Sequence, residues 1–202
     1  ITAGKISYHD VPLGQMPVWV KNNFLNHIDV AIIEAAAIDE NGNIIPTTSV
    51  VTSHIYAEYA DKIIIEVNTY VPRCIEGIHD VYSPERPPHT QPIPITKVSD
   101  RVGTTYIKCD PAKVVAVVES NIPDNGRTVS PVDDEFRSMA NNLIGFLHSE
   151  VEHGRLCNPL PPVQAGVGSV SNAVLQGLAE SDFEHLTVYS EVLQNSIFGL
   201  ID

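Results

Sequence analysis

The sequence has few basic residues and no long hydrophobic run. It contains 12 lysines and arginines against 25 aspartates and glutamates, which gives a formal net charge of −13. Binding to the phosphate backbone of DNA or RNA relies on clustered basic side chains, so we expect no nucleic-acid partner. The most apolar runs, Val30–Ile38 and Val114–Val118, have the length of strands, which is too short for a bilayer-spanning helix. No membrane span is therefore predicted.

Cysteine is also scarce. The three cysteines, Cys74, Cys109 and Cys157, form no CxxC pair, and their odd number favours a reducing compartment. With no targeting signal visible in residues 1–10, we expect a cytoplasmic location, or a mitochondrial one if the source is eukaryotic. Cys109 and Cys157 have no basic partner of the kind that lowers a thiol pKa, so both are predicted to be buried, inert thiols.

The rest of the composition is that of a folded protein, because a hydrophobic share of 43% excludes disorder as the main state. Two β-branched runs, residues 62–68 and 113–119, show little alternation, which predicts central strands covered on both faces of a mostly parallel sheet. Residues 29–38 and the Asn41-Gly42 pair after them predict a strand and a tight hairpin turn. Helices are predicted over residues 15–26 and 53–60. The order of elements is typical of the α/β class.

Residues 121–131 collect turn-forming residues between a strand and a helix, which is typical of a linker between domains. We therefore predict two domains, residues 1–120 and 132–202. The helix after the linker has Ser130 as its predicted N-cap and Gly154 as its predicted C-cap. Before the linker, residues 70–96 contain six prolines and predict an irregular surface segment.

Two loops of the second domain are candidates for chemistry. The pattern predicts a strand, a loop with Gly166 and Gly168, a helix, a second strand ending at Glu191, and a helix from Val192 toward residue 202. Ligands of open α/β sheets bind beyond the carboxyl ends of strands, so both loops would reach one substrate. Paired glycines leave backbone N–H groups free for an anion or an oxyanion. Taken singly, each loop is more often structural: an ordinary tight turn at the glycines and a helix-charge partner at Glu191.

Residues 164–178, QAGVGSVSNAVLQGL, and 186–194, LTVYSEVLQ, closely resemble the acetyl-CoA hydrolase/transferase family of coenzyme A transferases. Five upstream segments also resemble it: residues 76–80 (EGIHD), 87–89 (PPH), 92–104 (PIPITKVSDRVGT), 110–118 (DPAKVVAVV) and 123–124 (PD). The resemblance runs from about residue 29 to residue 202. It implies two related α/β domains of the coenzyme A transferase (NagB/RpiA-like) type with mostly parallel sheets, each only partly covered by this chain.

The resemblance implies a double-displacement reaction in which Glu191 is the nucleophile. Its carboxylate attacks an acyl-CoA to form an acyl-glutamyl anhydride, and the freed CoA thiolate then gives a glutamyl-CoA thioester. In the family, the residue between the two glycines supplies its backbone N–H to an oxyanion hole, and here that residue is Val167. The partners implied are acyl-CoA and small carboxylates, with CoA as a substrate and no permanently bound cofactor.

The CoA-binding residues implied by the resemblance are Gly166, Gly168, Ser169, Asn172 and Arg127. The family often has asparagine at the position of Ser169, and its CoA-binding arginine falls near Asn125. Arg127 is a candidate substitute for reaching a CoA phosphate, but a solvated linker charge is the favoured interpretation of that residue. No metal site is predicted, because His54, His79 and His89 have no HxH or HxxxH spacing.

Three functions stay open. The first is a CoA-transferase, which the resemblance implies is a homo-oligomer. The second is an acetyl-CoA hydrolase, which would form product without a carboxylate acceptor. The third is an inactive fragment or CoA-binding module. Family members are considerably longer, and this chain matches the later part of the first domain and the opening part of the second, so we expect the chain alone to be inactive.

Overall fold

A computed structural model describes residues 4, 5, 8, 10–124 and 132–201. The chain forms two compact units, Ile1–Ile95 with Arg101–Asn125 and Thr96–Asp100 with Gly126–Asp202. The first unit contains α1 (Met16–Lys21), β1 (Val30–Ile38), β2 (Ile44–Pro46), α2 (Ser53–Tyr59), β3 (Lys62–Asn68) and β4 (Val114–Ser120). The second contains α3 (Asp134–Glu152) and α4 (Ser169–Ala179). Short 3-10 helices lie at Leu13–Gln15, Arg73–Ile75, Pro111–Lys113 and Asn195–Leu200.

The first unit is built on a four-stranded sheet in the order β2-β1-β3-β4. Strands β1, β3 and β4 are parallel, and β2 pairs antiparallel with β1. The turn between β1 and β2 is closed by the Gly42 N–H, which donates to the Asp39 carbonyl oxygen at 3.0 Å, and Gly42 has a φ of +82° that favours glycine. The predicted α/β class, the mostly parallel sheet and the hairpin at Asn41-Gly42 are confirmed.

The largest cluster of buried residues in this unit lies on one face of the sheet. Alternate residues of β1 and β3 are buried there, among them Ile33, Ile63 and Ile65, and they pack with Ala57 of α2. Strand β3 has the predicted bounds and is central. Strand β4 is the outermost strand of the described sheet, and Val117 and Val118 on it are 56% and 50% exposed. The prediction that β4 is central and covered on both faces is therefore wrong within this chain.

The second unit is held together by the packing of α3 on α4. Helix α3 begins at Asp134, with the Asp133 carboxylate accepting from the Phe136 N–H at 2.9 Å. The predicted cap Ser130 lies outside the described residues. Gly154 follows the helix with a φ of +68°, as expected of a C-terminal glycine. The two helices approach closely at Gly177, where an added Cβ would lie 3.2 Å from the Ala140 Cβ.

The predicted strands on either side of α4 are much shorter than expected. Only one parallel bridge forms there within the described residues, between Val163 and Val188. The Val163 N–H donates to the Thr187 carbonyl oxygen at 2.9 Å, and the Tyr189 N–H donates to the Val163 carbonyl oxygen at 3.0 Å. The predicted helix from Val192 is a 3-10 helix over Asn195–Leu200. No helix in the described ranges is long and apolar enough to cross a bilayer.

Candidate functional site

The glycine loop lies at the N-terminus of α4. Gly168 is the N-cap with a φ of +147°, a conformation that a side chain would strain, and its carbonyl oxygen accepts from the Asn172 N–H at 3.0 Å. Val167 is 70% exposed. No described residue accepts a hydrogen bond from its backbone N–H. The loop thus presents a free backbone donor beside the start of a helix, a geometry suited to an anion.

The segment that carries Glu191 runs beside this loop. Two residues beyond the Val163–Val188 bridge, the two segments meet again at Ala165 and Ser190. The Ser190 hydroxyl accepts from the Ala165 N–H at 3.2 Å and lies 2.8 Å from the Ala165 carbonyl oxygen. The Ser190 hydroxyl is thus occupied by neighbouring backbone groups, including the Val192 carbonyl oxygen at 2.8 Å. Glu191 itself is exposed, so its carboxylate is open to a substrate.

A residue that sequence reasoning missed joins the same two segments. The Gln194 Nε2 donates to the Gly166 carbonyl oxygen at 2.9 Å, and the Gly168 N–H donates to Gln194 Oε1 at 3.4 Å. Gln194 is buried, with 9% of the residue exposed. Gln194 lies within the region predicted as a helix, and no local pattern signals a contact with residues 26 and 28 positions away.

Two further residues predicted to bind CoA, Ser169 and Asn172, lie on the first turn of α4. Ser169 is the first residue of α4 and is half-buried. Asn172 lines a cavity of about 460 Å³ together with Asn195 and Ser196. Arg127 lies outside the described residues. Gly166, Gly168, Ser169 and Asn172 therefore occur together around the start of α4.

Neither Cys109 nor Cys157 is part of the glycine loop or of the segment that carries Glu191. Cys109 is buried, as predicted, and burial together with the adjacent Asp110 carboxylate raises the pKa of its thiol. Cys157 is exposed, so the prediction that it is buried is wrong. It lies in the irregular segment that follows α3.

Among the described residues, His54, His79 and His89 do not belong to a common group of potential metal ligands. The His79 Nε2 lies 2.9 Å from the Thr47 carbonyl oxygen, and burial lowers the pKa of His54. Within the described part of the chain, the grouping of potential metal ligands is His27, Asp29 and Asp61, whose ligand atoms lie within 4.8 Å of one another. All three are exposed, and they lie in the first unit, immediately before β1 and β3.

The His27–Asp61 pair predicts a pH-dependent contribution to stability. Its Nε2 and Oδ2 atoms are 2.8 Å apart, and this hydrogen bond raises the pKa of His27 and lowers that of Asp61. The histidine's contribution is present below its unfolded pKa of about 6.5 and is lost as the pH rises through the raised folded value. The aspartate's contribution is present above about 3.9 and is lost as the pH falls through the lowered folded value.

An NMR titration that measures the pKa of His27 checks whether the hydrogen bond to Asp61 raises it. We expect Asp61→Asn to lower the pKa of His27 more than Asp29→Asn does, because Asp29 acts only through charge and more weakly. An equal effect of both substitutions would contradict the hydrogen bond as the main cause.

A cavity of about 470 Å³ lies in the first unit and is lined by His54, Glu58, Lys108 and Lys113 among others. Lys113 donates to the Glu58 carbonyl oxygen at 2.6 Å, so this lysine stabilises the end of α2. The lining of this cavity contains both acidic and basic side chains. It contains none of the residues predicted to act on a thioester. The glycine loop and the Glu191 segment remain the better candidate.

The family model described as the acetyl-CoA hydrolase/transferase N-terminal domain matches residues 1–119. A succinyl-CoA:acetate CoA-transferase of Clostridium kluyveri is 44% identical over 201 residues, covering 100% of this chain and 37% of that protein. An acetyl-CoA hydrolase of Schizosaccharomyces pombe is 43% identical, covering 100% of this chain and 40% of that protein. The chain spans about two fifths of the length of these relatives.

Solved structures share the fold at lower identity. A 4-hydroxybutyrate CoA-transferase from Porphyromonas gingivalis superposes with a TM-score of 0.60 at 18% identity, covering 96% of this chain and 39% of that one. RipA from Yersinia pestis superposes with a TM-score of 0.58 at 20% identity, covering 97% of this chain and 36% of that one. At these identities the likeness bears on the fold alone.

Proposed function

This chain belongs to the acetyl-CoA hydrolase/transferase family, and on that premise we propose that the full-length protein carrying it is a coenzyme A transferase. It moves CoA between a short-chain acyl-CoA and a small carboxylate such as acetate, succinate or propionate. The observation that supports this proposal is the joining of the Glu191 segment to the glycine loop through Ser190 and Gln194. A nucleophile and a free backbone donor are thereby held on adjacent segments.

In the proposed reaction, the Glu191 carboxylate attacks the thioester carbonyl carbon. The C–S bond breaks, the CoA thiolate leaves, and a mixed anhydride forms. The thiolate then attacks the glutamyl carbonyl of the anhydride, which releases the original acyl group as a carboxylate and leaves a glutamyl-CoA thioester. An incoming carboxylate reverses both steps and leaves as the new acyl-CoA.

The Val167 N–H donates to the oxyanion that forms on the attacked carbonyl. Such a donor contributes roughly 3 kcal/mol of transition-state stabilisation. The exposed side chain of Val167 and the unused N–H support this role, because a substrate oxygen can approach without displacing a protein acceptor. Gly166 and Gly168 let the thioester lie against the backbone. Ser169 and Asn172 at the start of α4 are proposed CoA contacts, and a homo-oligomer is the proposed assembly.

An acetyl-CoA hydrolase is the second candidate, favoured by relatives of that name at 41% to 46% identity. The two reactions share the covalent intermediates on Glu191. They differ in whether water or a carboxylate attacks those intermediates. Glu191 is exposed in this chain, so both water and a carboxylate can approach the intermediate formed on it.

The rate at which acetyl-CoA is consumed, measured with and without a carboxylate acceptor, distinguishes the CoA-transferase from the hydrolase. We expect the full-length protein to form succinyl-CoA or propionyl-CoA only when the matching carboxylate is present, with far slower loss of acetyl-CoA in its absence. Loss of acetyl-CoA that is as fast without acceptor as transfer is with it would establish the hydrolase instead. Glu191→Gln serves as the control for spontaneous thioester hydrolysis.

A further inference from the structure

The side-chain amide of Gln194 bonds to both ends of the glycine loop. Its Nε2 donates to the Gly166 carbonyl oxygen at 2.9 Å, and its Oε1 accepts from the Gly168 N–H at 3.4 Å. The first distance is ideal for an N–H···O bond and the second is long, so the bond to Gly166 is the stronger. A planar amide is suited to this task because it offers a donor and an acceptor from one rigid group.

The Gly166 carbonyl oxygen and the Val167 N–H belong to the same peptide group. A trans peptide is planar, and its C=O and N–H point in opposite directions. The bond from Gln194 to the Gly166 oxygen therefore fixes the direction in which the Val167 N–H points, which is away from Gln194. A hydrogen bond accepted at the oxygen also polarises the peptide group and strengthens its N–H as a donor.

Gln194 is itself held in place by its own segment. Its side chain is buried, and its carbonyl oxygen accepts from the Ile197 N–H at 2.9 Å where the 3-10 helix Asn195–Leu200 begins. On the other side of Glu191, Ser190 bonds to the backbone of Ala165. The nucleophile thus lies between two side chains that both bond to the glycine-loop segment.

We infer that Gln194 is a positioning residue for the acyl-transfer step, which orients the Val167 N–H and sets its place relative to the Glu191 carboxylate. This inference rests on the proposed function, in which Val167 stabilises the oxyanion and Glu191 attacks. Gln194 touches neither the substrate nor the reacting atoms, and it acts through the peptide group between Gly166 and Val167.

Two substitutions in the full-length protein test this role. Gln194→Glu preserves size and the acceptor for the Gly168 N–H but cannot donate to the Gly166 oxygen when ionised, and Gln194→Met preserves approximate size without either bond. We expect both to lower the single-turnover rate of glutamyl-CoA formation by about 10- to 100-fold, the scale of a misplaced catalytic group. The KM for acyl-CoA is expected to change less than threefold. Gln91→Met, at an exposed site in the first unit, is the control.

Backbone amide NMR of the 202-residue chain gives a readout that does not depend on activity. In Gln194→Met we expect the Gly168 amide to exchange faster with solvent and the Val167 amide resonance to shift, with the melting temperature close to that of the parent. A rate of glutamyl-CoA formation within twofold of the parent in both variants, with the Val167 resonance unmoved, would overturn the inference. If the amide changes occur but no glutamyl-CoA is ever trapped in the parent protein, the proposed function fails and the loop contact stands.

Discussion

Glu191→Gln in the full-length protein is expected to lower the rate of acyl transfer by about 10⁴-fold or more, the scale seen when a covalent nucleophile is removed. Glutamine has the shape of glutamate, but its amide nitrogen and oxygen do not form the anhydride that the double displacement requires. Because Glu191 is exposed and no described residue donates to its carboxylate, the substitution removes no contact that holds the fold. The melting temperature is therefore expected to stay within about 2 °C, as for ordinary surface changes.

Glu184→Gln is the matched control, since Glu184 is an exposed glutamate seven positions before Glu191 on the same unit. It is expected to retain full activity. Borohydride reduction after incubation with acyl-CoA, followed by peptide mapping, is expected to modify the peptide containing Glu191 in the parent and in Glu184→Gln. Transfer that survives in Glu191→Gln, or an unmodified Glu191 peptide from an active parent, would refute the assignment.

The elements predicted best are those whose conformation depends only on residues within the element itself. The β-branched run from Lys62 to Asn68 forms β3 with the predicted bounds, because such side chains favour a pleated, buried strand. The Asn41-Gly42 pair forms the predicted turn, because it supplies the positive φ that a tight hairpin needs. In both cases the residues themselves dictate the conformation.

The elements predicted worst depend on partners distant in the chain. Strand β4 has the composition of a buried strand, yet burial on both faces requires neighbouring layers that composition does not reveal. The segments at Val163 and Val188 were predicted as full strands but share a single bridge, because a strand extends only where its backbone groups find successive partners. Residue patterns indicate that a segment is extended without indicating how much of it is paired.

The candidate site also combines features that the sequence predicts with one that it does not. The pairing of the glycine loop with the Glu191 segment follows from the order of elements, since parallel segments bring their carboxyl ends together. The roles of Glu191 and Val167 come from the family resemblance and stay predictions. The contact of Gln194 with the glycine loop was not predicted from the sequence. A buried amide that bonds to two peptide groups more than 25 positions away produces no periodic pattern.

Ile65→Ala is expected to lower the free energy of unfolding of the first unit by about 2–5 kcal/mol, the range for large-to-small changes in a core. Ile65 is 1% exposed on β3 and packs within the largest cluster of buried residues of this unit, so truncation leaves a cavity that the central strand cannot close. Val117→Ala is the matched control. Val117 is the register partner of Ile65 on β4 and is 56% exposed, so its truncation is expected to cost less than about 1 kcal/mol.

Urea unfolding followed by tryptophan fluorescence measures both variants, because Trp19 on α1 is the single tryptophan of the chain and reports the first unit alone. Equal costs for the two substitutions in the 202-residue chain would contradict the exposed position of β4. A small cost for Val117→Ala in this chain and a large one in the full-length protein would instead mean that further sequence covers β4 there. The outer strand would then be buried on both faces, as its β-branched composition predicts.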